Sequence, residues 1–170
     1  MNDIIIKAVT EKDSDLLSQV EKQFVEMYDY FAQKGLNIPL IKNGEKLWLQ
    51  SIMPTLNRIN KLFVAVKNNT VIGFVFGYLR FTTDYLGSLK VGVISYIYVD
   101  PCIREKGVGR LLVKDLENWF ISKEVHSIEL QVVYKNENAI RFWEKCGYDK
   151  EIIQFRKKNK INHSLYTKSI

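Results

Sequence analysis

Residues 91–120 read VGVISYIYVDPCIREKGVGRLLVKDLENWF. The β-branched and aromatic run from Val91 to Val99 reads as a strand. It stops at Asp100-Pro101 and leads through Arg104-Glu105-Lys106-Gly107-Val108-Gly109 into a helical pattern. Two glycines at the mouth of a helix let the backbone approach a ligand closely, and the first amides of the helix lack partners, with the positive end of its dipole behind them. The expected ligand therefore carries phosphate, and a Cβ at Gly107 or Gly109 is expected to intrude on its space. Arg104 and Lys106 flank the turn and can add charge-assisted contacts. Leu111, Leu112, Leu116, Trp119 and Phe120 recur at helical spacing and are expected to bury the other face.

What is missing narrows the ligand. No Lys-Ser or Lys-Thr follows the second glycine, which argues against a nucleoside triphosphate with magnesium. Leu112 stands where a dinucleotide-binding fingerprint needs its third glycine, which argues against nicotinamide and flavin cofactors. What remains, Arg-x-x-Gly-x-Gly after a strand ending Val-x-Pro, resembles the coenzyme A pyrophosphate loop of the GCN5-related N-acetyltransferases, the GNAT family. A second stretch adds to it. After the apolar run Ile128 to Val133 comes Asn136-Glu137-Asn138-Ala139-Ile140-Arg141-Phe142-Trp143-Glu144-Lys145-Cys146-Gly147-Tyr148, which resembles that family's Asn-x-x-Ala-(x)3-aromatic-(x)3-Gly-aromatic signature. On its own chemistry the segment is a helix capped by Asn136 or Asn138, with Ala139, Ile140 and Trp143 inside and Gly147 as a left-handed stop.

The resemblance spans Val91 to Tyr148 and implies an α/β fold with a mixed sheet of about seven strands and four helices, in the order β-α-α-β-β-β-α-β-α-β-β, the two closing strands near 151–155 and 163–168. It implies acetyl-CoA as cosubstrate, without a metal, and transfer of the acetyl group to a primary amine. The acceptor would be a small molecule or, alternatively, a protein N-terminus or lysine; an acyl-CoA-binding sensor without turnover is a further alternative. The Lys90 and Ile128 strands would splay to leave a slot for the acyl-pantetheine arm. Ile97, Tyr98 and Val99 would pair with that arm, the loop from Arg104 through Glu105, Lys106, Gly107 and Val108 to Gly109 would hold the diphosphate, and Asn136 and Trp143 would line the arm.

The resemblance implies a catalytic position at Ser95, and its strand neighbour Tyr96 is a candidate beside it. Many relatives carry glutamate where this chain has Ser95, and tyrosine, the acid for the departing thiolate, where it has Trp143. A serine hydroxyl at its ordinary pKa is no base, and an indole has no proton to give at neutral pH. Tyr98, Tyr134, Glu26 and Asp29 are further candidates for the missing roles. Cys102 has no activating histidine nearby in sequence, and His163 falls on an expected C-terminal strand.

Composition agrees with one domain over residues 1–170. A chain of this length can bury about 70% of its unfolded surface, and with three prolines, no Ser/Gly-rich stretch and no repeat there is no sign of a boundary. The longest apolar run, Val71 to Leu79, is too short to span a bilayer. The start, Met1 to Lys7, lacks a signal peptide's long apolar core, and Cys102 and Cys146 form no metal-spaced pair. A cytoplasmic protein without a membrane partner is expected. The net charge of +6 suits an anionic ligand. Its densest cluster, Arg156-Lys157-Lys158 with Lys160, lies in an expected hairpin turn without interleaved aromatics, so no nucleic-acid partner is expected. A homodimer is left open.

Overall fold

Hydrophobic patterning builds the layers in chain order. The computed structural model describes residues 4–104 and 106–157. Its elements are β1 (Ile5–Ala8), α1 (Ser14–Gln33), α2 (Gly44–Ile52), β2 (Asn60–Lys67), β3 (Thr70–Phe81), β4 (Lys90–Val99), α3 (Val108–Ser122), β5 (Ser127–Leu130) and α4 (Glu137–Lys145). Asn68 and Asn69, with φ of 49° and 61°, make the two-residue turn that joins β2 to β3. The sheet order is β1-β2-β3-β4-β5, antiparallel up to β4, with β5 parallel to β4.

Each face of the sheet carries its own core. On one side Val20, Phe24 and Met27 of α1, with Leu49 and Ile52 of α2, pack on Leu62, Val64, Phe74 and Phe76. Gln19 and Gln23 fix α1 further by hydrogen bonds to the backbone of Val71. On the other side Leu112, Val113, Leu116 and Phe120 of α3 join Trp143 of α4 over Ala65, Val75 and Ile94. The Phe120 ring lies where a Cβ on Gly92 would meet it at 2.7 Å, so a missing side chain on the sheet lets α3 sit close. Leu111, expected inside, faces solvent.

The expected mixed α/β architecture holds and its element order holds through α4, but the sheet has five strands among the described residues, against about seven expected. The run expected as a strand from Ile128 to Val133 pairs only through Leu130. The expected strand at 151–155 has no ladder partner among the described residues; Ile152, Ile153 and Phe155 are exposed, so apolar residues without a neighbouring edge gave no strand. The second closing strand, at 163–168, lies outside the described residues. No helix among them is long and apolar enough to cross a membrane.

Candidate functional site

The parallel ladder joins Val91–Ile94 to Ser127–Leu130 and then ends, while β4 runs on to Val99, paired to β3 alone. The cause is local. Tyr96 faces Phe76 and Ile94 faces Gly77, so Ser95 is the extra residue of a β-bulge, which bends and twists the strand that carries it. The bulge also resets the side chains: Ile94, Ile97 and Val99 lie on the α3 side, Tyr96 and Tyr98 on the α1 side. Asp100 N–H donates to the Ile72 carbonyl at 3.0 Å. By antiparallel alternation the backbone groups of Tyr98 and Tyr96 then also turn towards β3, and those of Ile97 and Val99 turn to the open side. Of the three residues expected to pair with an arm in the slot, Ile97 and Val99 offer backbone groups to it, whereas Tyr98 has its own committed to β3.

Beyond the end of β4 that has no β5 partner, the chain turns into α3. Gly107 is the N-cap residue, with φ of +81° and no side-chain cap. The first helical bond is Leu111 N–H to the Gly107 carbonyl at 3.2 Å, so the amides of Val108, Gly109 and Arg110 precede the helical ladder. A Cβ on Gly107 would meet nothing within 4 Å, whereas one on Gly109 would meet the Phe142 ring at 3.2 Å. The two glycines therefore do different work: Gly107 allows the left-handed turn, and Gly109 lets α4 approach α3. A Cβ on Gly109, expected to intrude on ligand space, would press on the Phe142 ring. Arg104 Nε donates to the Val99 carbonyl at 3.1 Å, and Lys106 is exposed. Glu105 lies outside the described residues.

At the start of α4, Asn136 rather than Asn138 is the cap: its Oδ1 accepts from Ala139 N–H, while Asn138 bonds Arg141. Gly147, at φ +91°, ends the helix region as expected. Trp143 is buried against Phe142 and Tyr148 in edge-on contacts. It is a residue of the α3-side core.

On the α1 side, helix and strand meet through hydroxyls. Tyr98 donates to Glu26 Oε2 at 2.7 Å, and the Tyr28 and Tyr96 hydroxyls lie 3.0 Å apart. Burial, reinforced by those partners, pushes the phenols of Tyr98 and Tyr28 well above their ordinary range, so both stay protonated and act as hydrogen-bonding groups. Tyr96 also meets Phe24 and Trp48 edge-on. Asp29 is exposed on α1; Tyr134 is exposed beyond β5, and Cys102 is exposed on the turn after β4. None of these three joins the Glu26–Tyr98 or Tyr28–Tyr96 pair. His163 lies outside the described residues. Tyr28 and Tyr30 belong to the stretch Glu26 to Phe31, whose mix of acids and aromatics is expected to suit a cationic amine; two positions apart they leave α1 in different directions, and helical spacing does not show what either meets. Among the described residues no three His, Cys, Asp or Glu side chains gather to hold a metal ion.

The profile of the acetyltransferase (GNAT) family matches residues 24–148. An uncharacterised N-acetyltransferase of Methanocaldococcus jannaschii is 26% identical over 152 residues, which cover 88% of this chain and 62% of that protein. The chain thus spans less than two thirds of that relative's length. Among solved structures, an aminoglycoside acetyltransferase from an uncultured soil metagenomic sample, in complex with trehalose, superposes with a TM-score of 0.71 at 19% identity, over 94% of this chain and 98% of that one. The aminoglycoside N-acetyltransferase AAC(6')-Iy in complex with CoA gives 0.72 at 16% identity, over 92% and 95%. A tetramutant of the Bacillus halodurans protein BH1408 gives 0.74 at 20% identity, over 91% and 99%. At these identities the likeness is one of fold.

Proposed function

The chain belongs to the acetyltransferase (GNAT) family, and from that premise we propose that it is an N-acetyltransferase moving the acetyl group of acetyl-CoA to a primary amine of a small molecule. The observation that carries this reading is the early end of the β4–β5 ladder at Ile94 and Leu130, which opens the Ile97 and Val99 backbone beside the start of α3. An extended amide-bearing arm can continue the sheet there by pairing with those two residues. The amides of Val108, Gly109 and Arg110 would face its diphosphate, with Arg104 and Lys106 adding charge. The residues present fit such a ligand because Gly107 supplies no side-chain cap of its own.

The acceptor side is the α1 face of β4. Glu26 is an exposed acid there, bonded to Tyr98, and suited to attract an ammonium group. In the transfer, the amine nitrogen bonds to the thioester carbonyl carbon, the carbon–sulfur bond breaks, and the nitrogen's proton must leave. Tyr98 is held as a protonated phenol, so Glu26, or water beside it, is the proposed base. Tyr96, next to the Ser95 bulge and joined to Tyr28, is the proposed proton donor to sulfur; Ser95 would contribute a hydrogen bond to the carbonyl oxygen. Release of free thiol from acetyl-CoA, dependent on added amine, tests the reading against polyamines, aminoglycosides, amino acids and N-terminal peptides. The burial of Trp143, at the position where the family pattern implies a tyrosine, favours one second reading, a sensor that binds acyl-CoA without turnover. Tight CoA binding with no thiol release across the panel would establish it.

A further inference from the structure

Tyr30 lies on α1, the acceptor side of the fold, yet it touches both walls of the slot. Its hydroxyl donates to Asn136 Oδ1 at 3.3 Å, and its ring centroid is 5.2 Å from the Arg104 guanidinium and 5.4 Å from the Lys34 ammonium. Just beyond α1, the Lys135 side chain passes 3.7 Å from where a Cβ on Gly35 would stand, so the segment before α4 also meets the end of α1. The ends of α1, β4 and β5 thus converge around one phenol.

The polarity of Asn136 follows from these contacts. Ala139 N–H can only donate, so the atom it meets is the amide oxygen. Tyr30 takes the second lone pair of that oxygen. Asn136 is 5% exposed, and with its oxygen turned to α4 and Tyr30, the trigonal geometry of the amide points its two N–H bonds the other way. Among the described residues those N–H groups have no partner.

We propose that Tyr30 is a positioning residue for the CoA arm, fixing Asn136 as a hydrogen-bond donor to the arm and gathering Arg104 and Lys34 at the mouth of the slot. The group that Asn136 meets is accordingly an acceptor, a carbonyl or phosphate oxygen. This rests on the acetyl-CoA reading above. It adds that a side chain of the acceptor-side helix holds the donor-side site.

Calorimetric titration with CoA of the whole protein tests it, after melting shows each variant folded. Tyr30→Phe keeps the ring and loses the hydroxyl, and should weaken CoA binding about threefold to tenfold. Tyr30→Leu also loses the cation-bearing face and should cost about threefold more. Asn136→Ser retains a capping oxygen but has no amide donors; in that background Tyr30→Phe should cost nothing further, since its effect passes through the amide. A structural role alone would give the same loss in both backgrounds. Wild-type affinity in Tyr30→Phe, or an equal loss with Asn136→Ser, overturns the role of Tyr30 and leaves the CoA reading standing. Absence of CoA binding by the wild-type protein overturns both.

Discussion

The Tyr98 hydroxyl donates to Glu26 Oε2 at 2.7 Å, joining the open end of β4 to the middle of α1. The pair places an exposed carboxylate beside the strand segment that has no β5 partner. If Glu26 receives the acceptor's proton or its ammonium, Glu26→Gln should keep the Tyr98 hydrogen bond and the fold while lowering kcat/KM. Loss of a general base gives roughly a hundredfold to ten-thousandfold effect. Steady-state kinetics on one amine checks this, with CoA affinity expected to stay at its wild-type value.

The raised phenols set an alkaline limit. Burial, with partners at Tyr96, Glu26 and Glu117, lifts Tyr28, Tyr98 and Tyr148 above their ordinary range. The folded state therefore favours the protonated phenols, and this contribution is fully present below about pH 10, the unfolded value. It is lost as pH rises towards the folded values. Melting temperature should fall above that pH, and Tyr98→Phe should make the fall shallower.

Gly107 and Gly109 should fail in different ways. Gly107→Ala forces a side chain to φ +81° in open space, at a cost of about 1 kcal/mol or somewhat more, and should weaken CoA binding by displacing the first amides of α3. Gly109→Val drives branches into Phe142 and should lower the melting temperature. Phe142→Leu should restore part of that loss. Thermal melts alongside CoA titrations separate the two outcomes.

Asn136→Asp keeps an oxygen for Ala139 N–H and favours the N-terminus of α4, so the melting temperature should hold. It exchanges the amide donors for negative charge beside the slot, so CoA affinity should fall. Paired melting and titration measurements check both halves.

Trp143→Phe removes volume from the cluster with Phe142 and Tyr148 and should cost about 1–3 kcal/mol of stability. Turnover should change far less than the roughly hundredfold or greater loss that follows removal of a general acid. Denaturant unfolding and kcat on one acceptor provide the comparison.

The loop from Arg104 to Gly109 and the helix from Asn136 to Gly147 were legible because their chemistry is local: glycines, caps and apolar spacing stand next to one another in the chain. The Ser95 bulge was not, because a bulge is a mismatch between β3 and β4 and neither strand alone contains it. Tyr28 against Tyr96 and Tyr30 against Asn136 are 68 and 106 positions apart, and only the packing of α1 across the sheet brings them together. The apolar residues Ile152, Ile153 and Phe155 suggested a strand, but a strand needs a neighbouring edge that composition does not supply.

The central claim is that the backbone of β4 beyond the bulge receives an acyl-CoA arm. Residue-resolved amide hydrogen exchange of the whole protein, with and without acetyl-CoA, tests it most directly. Ile97 and Val99 amides should exchange readily in the free protein and become protected when acetyl-CoA is added, while Tyr98, bonded towards β3, should be protected in both. Unchanged exchange at Ile97 and Val99 under saturating acetyl-CoA would contradict the account.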